Sequence, residues 1–284
     1  MACFPDFVWE EGRYIFSNHC DVIDVHSAKY GPLIVKIPRS NNYEIEHEAA
    51  TLEYFSGIGL GILTPEVVYL DPDKRYLIYK KIEGNVLSWS DFQEIKKDKA
   101  LGIYSKLAQF LYKTHNLRLP DGLELRQDPT QQYPLTLEKS LDDLPDAVRD
   151  FTEKLLNSPL RQEFEREQSS HLIFNDIHPE NFVLNNELEL VGMIDFGFVS
   201  MGNPHRDFHQ MDKVCSTGLH SLISLYNDLT VDVSEQIEIQ KVRWLSLIDL
   251  ITFYRHRLLT ETKGVHSLDE IRSMLERLIK DYDH

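Results

Sequence analysis

Three side chains within Phe174–Gly197, FNDIHPENFVLNNELELVGMIDFG, suit a hard cation and a proton in transit. Asp176 is followed five residues later by Asn181, and Asp195 closes a second apolar run. FVLN and LELVGMID are expected to pair through a tight turn near Asn185–Asn186, which folds Asp195 back towards the Asp176 loop. Carboxylate and amide oxygens are ligands of the kind Mg²⁺ takes, one or two carboxylates with water and phosphate oxygens completing its shell. A carboxylate outside that set can orient an attacking hydroxyl and accept its proton. Neutralised phosphates and an aimed nucleophile are the requirements of phosphoryl transfer.

NDIHPENFVL followed by MIDFG resembles the catalytic loop and metal segment of the protein-kinase-like small-molecule kinases, the group of aminoglycoside phosphotransferases and choline kinases. The resemblance implies that Asp176 is the catalytic base, Asn181 a metal ligand, and Asp195 the aspartate bridging metal and phosphates. His178 is expected to brace this loop, and Asp207 in NPHRDF resembles the aspartate that supports it from below. One letter departs from the pattern: Phe174 stands where the family often has histidine.

Upstream, Lys36 in LIVKIPR and Glu48 in EIEHEAATLEYF are similar to the kinase lysine–glutamate pair, which implies that Lys36 holds nucleotide phosphates. Glu44 and Glu46 are rival partners, but the register that turns Ala49, Leu52 and Phe55 inward favours Glu48. LIYKKIEG resembles the hinge strand, with the backbone near Lys81 and Ile82 meeting the purine edge. The glycine-rich phosphate loop of protein kinases is missing, so the Ser17 hydroxyl or neighbouring amides would cover the phosphates. The likeness spans Ile34 to Phe208 and is strongest to aminoglycoside 2″-phosphotransferases.

These residues need elements to position them. GRYIFSN, CDVIDVH and PLIVKIPR read as an antiparallel meander, NNYEIEHEAATLEYFSG as a capped helix, and PEVVYLD and RYLIYKKIEG as two more strands about an Asp71-Pro72-Asp73 turn. After Gly84 the pattern turns helical: Tyr104, Leu107, Phe110, Leu111 and Thr114 form a stripe, and Ser267 with Glu270 makes a capping box before Ile271, Met274, Leu275 and Leu278. The expected fold is α+β and protein-kinase-like, with residues 1–83 a nucleotide-binding antiparallel β lobe and residues 84–284 a larger helical lobe carrying the catalytic loop and acceptor site.

The 284-residue chain has 30 Lys and Arg against 46 Asp and Glu, a net charge of -16 that repels nucleic acid and attracts cationic small molecules. Three unpaired-looking cysteines, no signal-like N-terminus and no long apolar run point to the cytoplasm and away from a membrane. His205 and His209 are one helical turn apart, but Pro204 and Arg206 indicate a helix start rather than a zinc helix. Asp249 is a candidate to meet a cationic acceptor, and Trp244, Phe253 and Tyr254 read as core or acceptor-pocket wall that leaves open the aromatic cage a choline-type acceptor needs. The resemblance therefore implies a Mg²⁺-dependent enzyme moving the γ-phosphoryl group of ATP or GTP to a hydroxyl of an aminoglycoside-like cationic acceptor. The alternatives are a kinase of choline, homoserine or a sugar, and a nucleotide-binding pseudokinase.

Overall fold

A computed structural model describes residues 9–16, 20–39, 45–118, 125–166, 171–214, 216–260 and 267–282. In chain order its main elements begin with β1 (Trp9–Phe16), β2 (Cys20–Ser27), β3 (Gly31–Pro38), α1 (Ile45–Phe55), β4 (Val67–Leu70) and β5 (Leu77–Lys80). Next come α2 (Trp89–Gln93), α3 (Lys97–His115), α4 (Tyr133–Glu138), α5 (Asp146–Leu156), α6 (Pro159–Arg166), β6 (His171–Ile173), β7 (Phe182–Leu184), β8 (Leu190–Met193) and β9 (Ser200–Gly202). The chain ends in α7 (Arg206–Val214), α8 (Ser216–Asn227), α9 (Ile239–Thr260) and α10 (Leu268–Tyr282). They form two compact units: Met1–Ser88 with Pro179–Val199, and Trp89–His178 with Ser200–His284.

The first unit is built on a five-stranded antiparallel sheet in the order β1-β2-β3-β5-β4. Val25, Leu33, Val35, Tyr76 and Ile78 make a core cluster on it, as the period-two alternation of half-buried strands requires. On α1, Ala49, Leu52 and Phe55 are buried, the face its apolar spacing predicts. The β7–β8 hairpin belongs to this unit too. Its connection is the tight turn expected near Asn185–Asn186, with the Leu188 N–H donating to the Asn185 carbonyl at 3.0 Å. The Asn185 side chain accepts the N–H groups of Glu187 and Glu189, and Leu188 takes the left-handed conformation with φ 60. The Asn185 side chain thus braces a backbone turn that contains no glycine.

Gly84 runs against this hairpin. Its φ is 149, and a Cβ built there would lie 2.6 Å from the Leu184 carbonyl oxygen. The next residue, Asn85, exchanges both backbone hydrogen bonds with Leu184, at 2.8 and 2.9 Å. Only glycine permits so close an approach of two backbones.

The second unit is helical around α9, whose buried residues cover most of its circumference, the pattern of a central helix. Trp244 stacks on Phe164 at 5.1 Å and donates its indole N–H to the Leu155 carbonyl. Ser267 and Glu270 exchange the reciprocal bonds of the capping box, and Ile271, Leu275 and Leu278 are buried behind it. The α3 stripe is buried as its spacing predicts. Among the described residues no helix is long and apolar enough to cross a membrane.

Candidate active site

Lys36 lies in β3, opposite Val22 on one side and Leu77 on the other. Its ammonium reaches the Glu48 carboxylate of α1 at 2.9 and 3.1 Å and Asp195 Oδ1 at 2.9 Å. Lys36 and Glu48 are almost fully buried, while Asp195 remains 29% exposed. Of the two carboxylates that share this buried cation, Asp195 is the one open to approach from solvent. Glu46, a rival on the same helix, instead pairs with Lys74 at the surface. Glu44 falls outside the described residues. Beside the cluster, burial pushes the Cys20 thiol up to about 12, with Lys36 opposing the shift, so this cysteine is held protonated.

Asp195 itself is in the left-handed region, φ 63, which few non-glycine residues enter and aspartate enters more readily than most. Contacts on both flanks hold the segment in place. Ile194 N–H donates to the Asn181 carbonyl at 3.0 Å, placing Asn181 and the Asp195 segment side by side. On the other flank Phe196 is fully buried edge-on against Phe55 of α1, and His47 of α1 is hydrogen-bonded to the Val199 carbonyl at 2.6 Å. The Asn181 side chain is buried.

In the hinge-like strand extension, Lys81 donates its backbone N–H to Pro32 and its ammonium to Asp24 at 2.6 Å. The Ile82 side chain packs over Gly192 of β8, where a Cβ would lie 2.9 Å from Ile82 Cδ1. Ser17 falls outside the described residues.

In the helical unit the Asp176 loop is carried on β6, paired with β9. Asp207, fully buried at the start of α7, accepts the N–H groups of Phe174 at 2.9 Å and Asn175 at 2.5 Å. His115 at the end of α3 completes that carboxylate at 2.9 Å and is held in turn by the Tyr226 hydroxyl. Phe174 fills the core, edge-on to Phe110 of α3. The loop is supported through its backbone, so an apolar side chain is accommodated at this position. Asp176 Oδ1 lies 3.4 Å from His178 Nε2, and the His178 ring stacks on Trp89 at 5.5 Å.

Two supports of this loop have no strong signal in the sequence. Asn175, at φ 67, donates its amide to Asp128, a buried carboxylate that also receives the Thr130 N–H and hydroxyl. The Arg206 guanidinium reaches Asp128 at 3.3 Å and lies over the Tyr133 ring. The run Asp128-Pro129-Thr130 is a helix-start signature, which is the one local sign that Asp128 faces inward.

Asp249 on α9 is ion-paired with Lys213 of α7, and His209 Nε2 is 3.6 Å away. Burial works to raise this carboxyl, but Lys213 and then His209 outweigh it and hold it well below the usual carboxylate range. His205 engages the Asn203 side chain through Nδ1 and accepts the Glu238 N–H at Nε2. Lys213 and Asp249 line a cavity of about 550 Å³ in the helical unit, with Trp89 and Tyr133 on its wall.

A five-stranded antiparallel unit carrying the lysine–glutamate–aspartate cluster and a helical unit carrying a braced aspartate loop together define a phosphotransferase of the protein-kinase-like type. The chain belongs to the APH phosphotransferase enzyme family, whose profile matches residues 18–230. Among solved structures it is similar to the GDP and kanamycin complex of an APH(2″) enzyme, with a TM-score of 0.78 and 19% identity over 99% of this chain and 95% of the other. It is also similar to an ADP-bound aminoglycoside phosphotransferase, APH(2″)-Ib, with a TM-score of 0.66 and 17% identity over 98% and 95% of the two chains. A choline/ethanolamine kinase family protein from Mesorhizobium loti gives a TM-score of 0.73 at 14% identity, over 100% and 93%.

Proposed function

We propose that this chain transfers the γ-phosphoryl group of ATP or GTP to a hydroxyl of a small molecule. The observation that carries the reading is Lys36 bridging Glu48 and Asp195, a buried cation directed at the carboxylate best placed to meet a nucleotide's metal. Residues 1–83 would serve nucleotide binding, and residues 84–284 the Asp176 loop and the acceptor. Lys36 holds phosphate oxygens while Glu48 fixes its ammonium. The backbone near Lys81 and Ile82 borders the base, and Ser17 and its neighbours cover the phosphates.

The donor set fits Mg²⁺: the Asp195 carboxylate and Asn181 amide are hard oxygen ligands on adjacent backbone, and a single carboxylate suits an ion whose other positions go to phosphates and water. When bound, that ion would neutralise phosphate charge. Asp176 orients the acceptor hydroxyl and takes its proton, with His178 beside it and Asp207 fixing the loop backbone.

Two acceptor classes compete. The GDP and kanamycin complex of an APH(2″) relative supports an aminoglycoside-like polycation. The charge of the cavity wall, with Asp249 already paired to Lys213, favours a metabolite without a cluster of positive charges. The reading as a whole is tested by nucleotide-consumption assays with and without acceptor, with Asp176→Ala as the blank. Acceptor-dependent turnover that survives this substitution removes Asp176 from its role.

A further inference from the structure

The cavity in the helical unit is joined to the Asp176 loop along two routes. Trp89 lines it and stacks on His178, which is 3.4 Å from Asp176. Tyr133 lines it and lies under Arg206, whose partner Asp128 receives the amide of Asn175. Asp176 is not itself on the wall, but it is two side-chain contacts from it, through His178 and Trp89.

The charge of this wall is unlike that of the chain. The chain carries -16, yet Lys213, Arg255 and His256 line the cavity against one carboxylate, Asp249. That carboxylate is committed to Lys213. Arg255 is met in turn by Asp143, its Nε donating at 2.8 Å. Lys213 and Arg255 are thus each matched by a carboxylate, and within this lining a polyamine or quaternary ammonium would have to break the Lys213–Asp249 pair to find a counter-charge.

The remaining lining suits uncharged hydroxyls. Thr136 and Thr252 donate their hydroxyl hydrogens to backbone carbonyls one turn back, which leaves their oxygens as acceptors. Gln210 accepts from Lys213 through Oε1, which leaves its amide N–H groups as donors. Trp89, Tyr133 and Phe253 add aromatic faces, and Phe253 is 39% exposed although it lines a cavity. Resting on the small-molecule-kinase reading, we propose that the acceptor is an uncharged polyhydroxylated ring, a sugar or glycoside. Its apolar face packs on Trp89 and Phe253, and its hydroxyls are shared among Thr136, Thr252 and Gln210.

The test is a coupled nucleotide-consumption assay on the full chain with Mg²⁺ and ATP or GTP, in three arms: a panel of neutral mono- and disaccharides and methyl glycosides, kanamycin, and choline. The expected result is acceleration of about tenfold or more over the acceptor-free rate by members of the neutral panel, and none by kanamycin or choline. Acceleration by either cation, or by no neutral sugar, overturns the proposal. Phe253→Ala should raise KM for the active sugar about fivefold with kcat little changed, and an unchanged KM removes the acceptor from this cavity. Thermal melts of the same preparation with nucleotide and no acceptor separate the two levels. Absence of a nucleotide-induced shift refutes the kinase reading itself, whereas a normal shift with kanamycin turnover refutes only the acceptor class.

Discussion

Lys36 and Asp195 are 159 positions apart in the chain and 2.9 Å apart in space, and Lys36 shares its charge between Asp195 and the buried Glu48. Replacing Lys36 by Met strands the Glu48 carboxylate, 1% exposed, without its cation. Removal of one member of such a buried pair costs about 3–5 kcal/mol. Urea unfolding of Lys36→Met should show a loss of that order, and Lys36→Met combined with Glu48→Leu should recover much of it. A single substitution that costs under about 1 kcal/mol would mean that the pair is not buried as described.

Asp207 should behave as a support rather than a reacting group. Its carboxylate satisfies the N–H groups of Phe174 and Asn175 together with His115. Asp207→Ala leaves these groups without an acceptor, at about 1–3 kcal/mol each. Chemical denaturation should register the loss, and Asp207→Asn, which keeps one oxygen, should fall between Ala and wild type. Equal stability of all three proteins would contradict this role.

The contrast between these two anchors and the rest shows what a linear sequence carries. The sheet strands, the α1 face that buries Ala49, Leu52 and Phe55, and the Ser267–Glu270 box follow from spacings of two to four residues, so local patterning suffices. Lys36 and Glu48 were legible through their resemblance to the kinase lysine–glutamate pair, with the register of α1 choosing Glu48 over Glu44 and Glu46. Trp89 under His178 and Asp128 under Asn175 were not, since each joins distant segments through a side chain that local rules would leave on a surface. The neutral balance around Asp249 was hidden for the same reason: Lys213 is 36 residues from Asp249, and Asp143 is 112 residues from the Arg255 it meets. The hairpin turn near Asn185–Asn186 was legible too, whereas the Asn185 side chain that braces it from within was not.

Gly84 predicts a sharp local sensitivity. A methyl group there meets the Leu184 carbonyl and the Val183 side chain at 2.6 Å on a backbone with φ 149. Gly84→Ala should therefore destabilise the protein by about 1–3 kcal/mol through strain and overpacking. Gly102, whose Cβ would meet nothing within 4 Å, is the control. Thermal melts in which both substitutions behave alike would show that the close approach is not made.

His205 sets an acid limit. Burial, with Lys241 adding to it, lowers its pKa to about 3, and its Nε2 accepts the Glu238 N–H only in the neutral form. The unfolded chain binds this proton near pH 6.5 and the folded one does not, so the stability this histidine contributes is full above pH 6.5 and declines as the pH falls towards 3. Between pH 6.5 and pH 5 the decline from this one group is about 2 kcal/mol. Urea titrations of wild type and His205→Asn over that range should differ in slope, the variant being flatter. Parallel slopes would assign the acid sensitivity elsewhere.

The central claim rests on Asp176, and a single-turnover measurement of phosphoryl transfer to an active acceptor tests it most directly. Asp176→Asn preserves size and hydrogen bonding beside His178 but cannot take a proton at neutral pH. The account predicts a transfer rate lowered by about 10²–10⁴-fold with nucleotide affinity nearly unchanged. A transfer rate within a few-fold of wild type would contradict it.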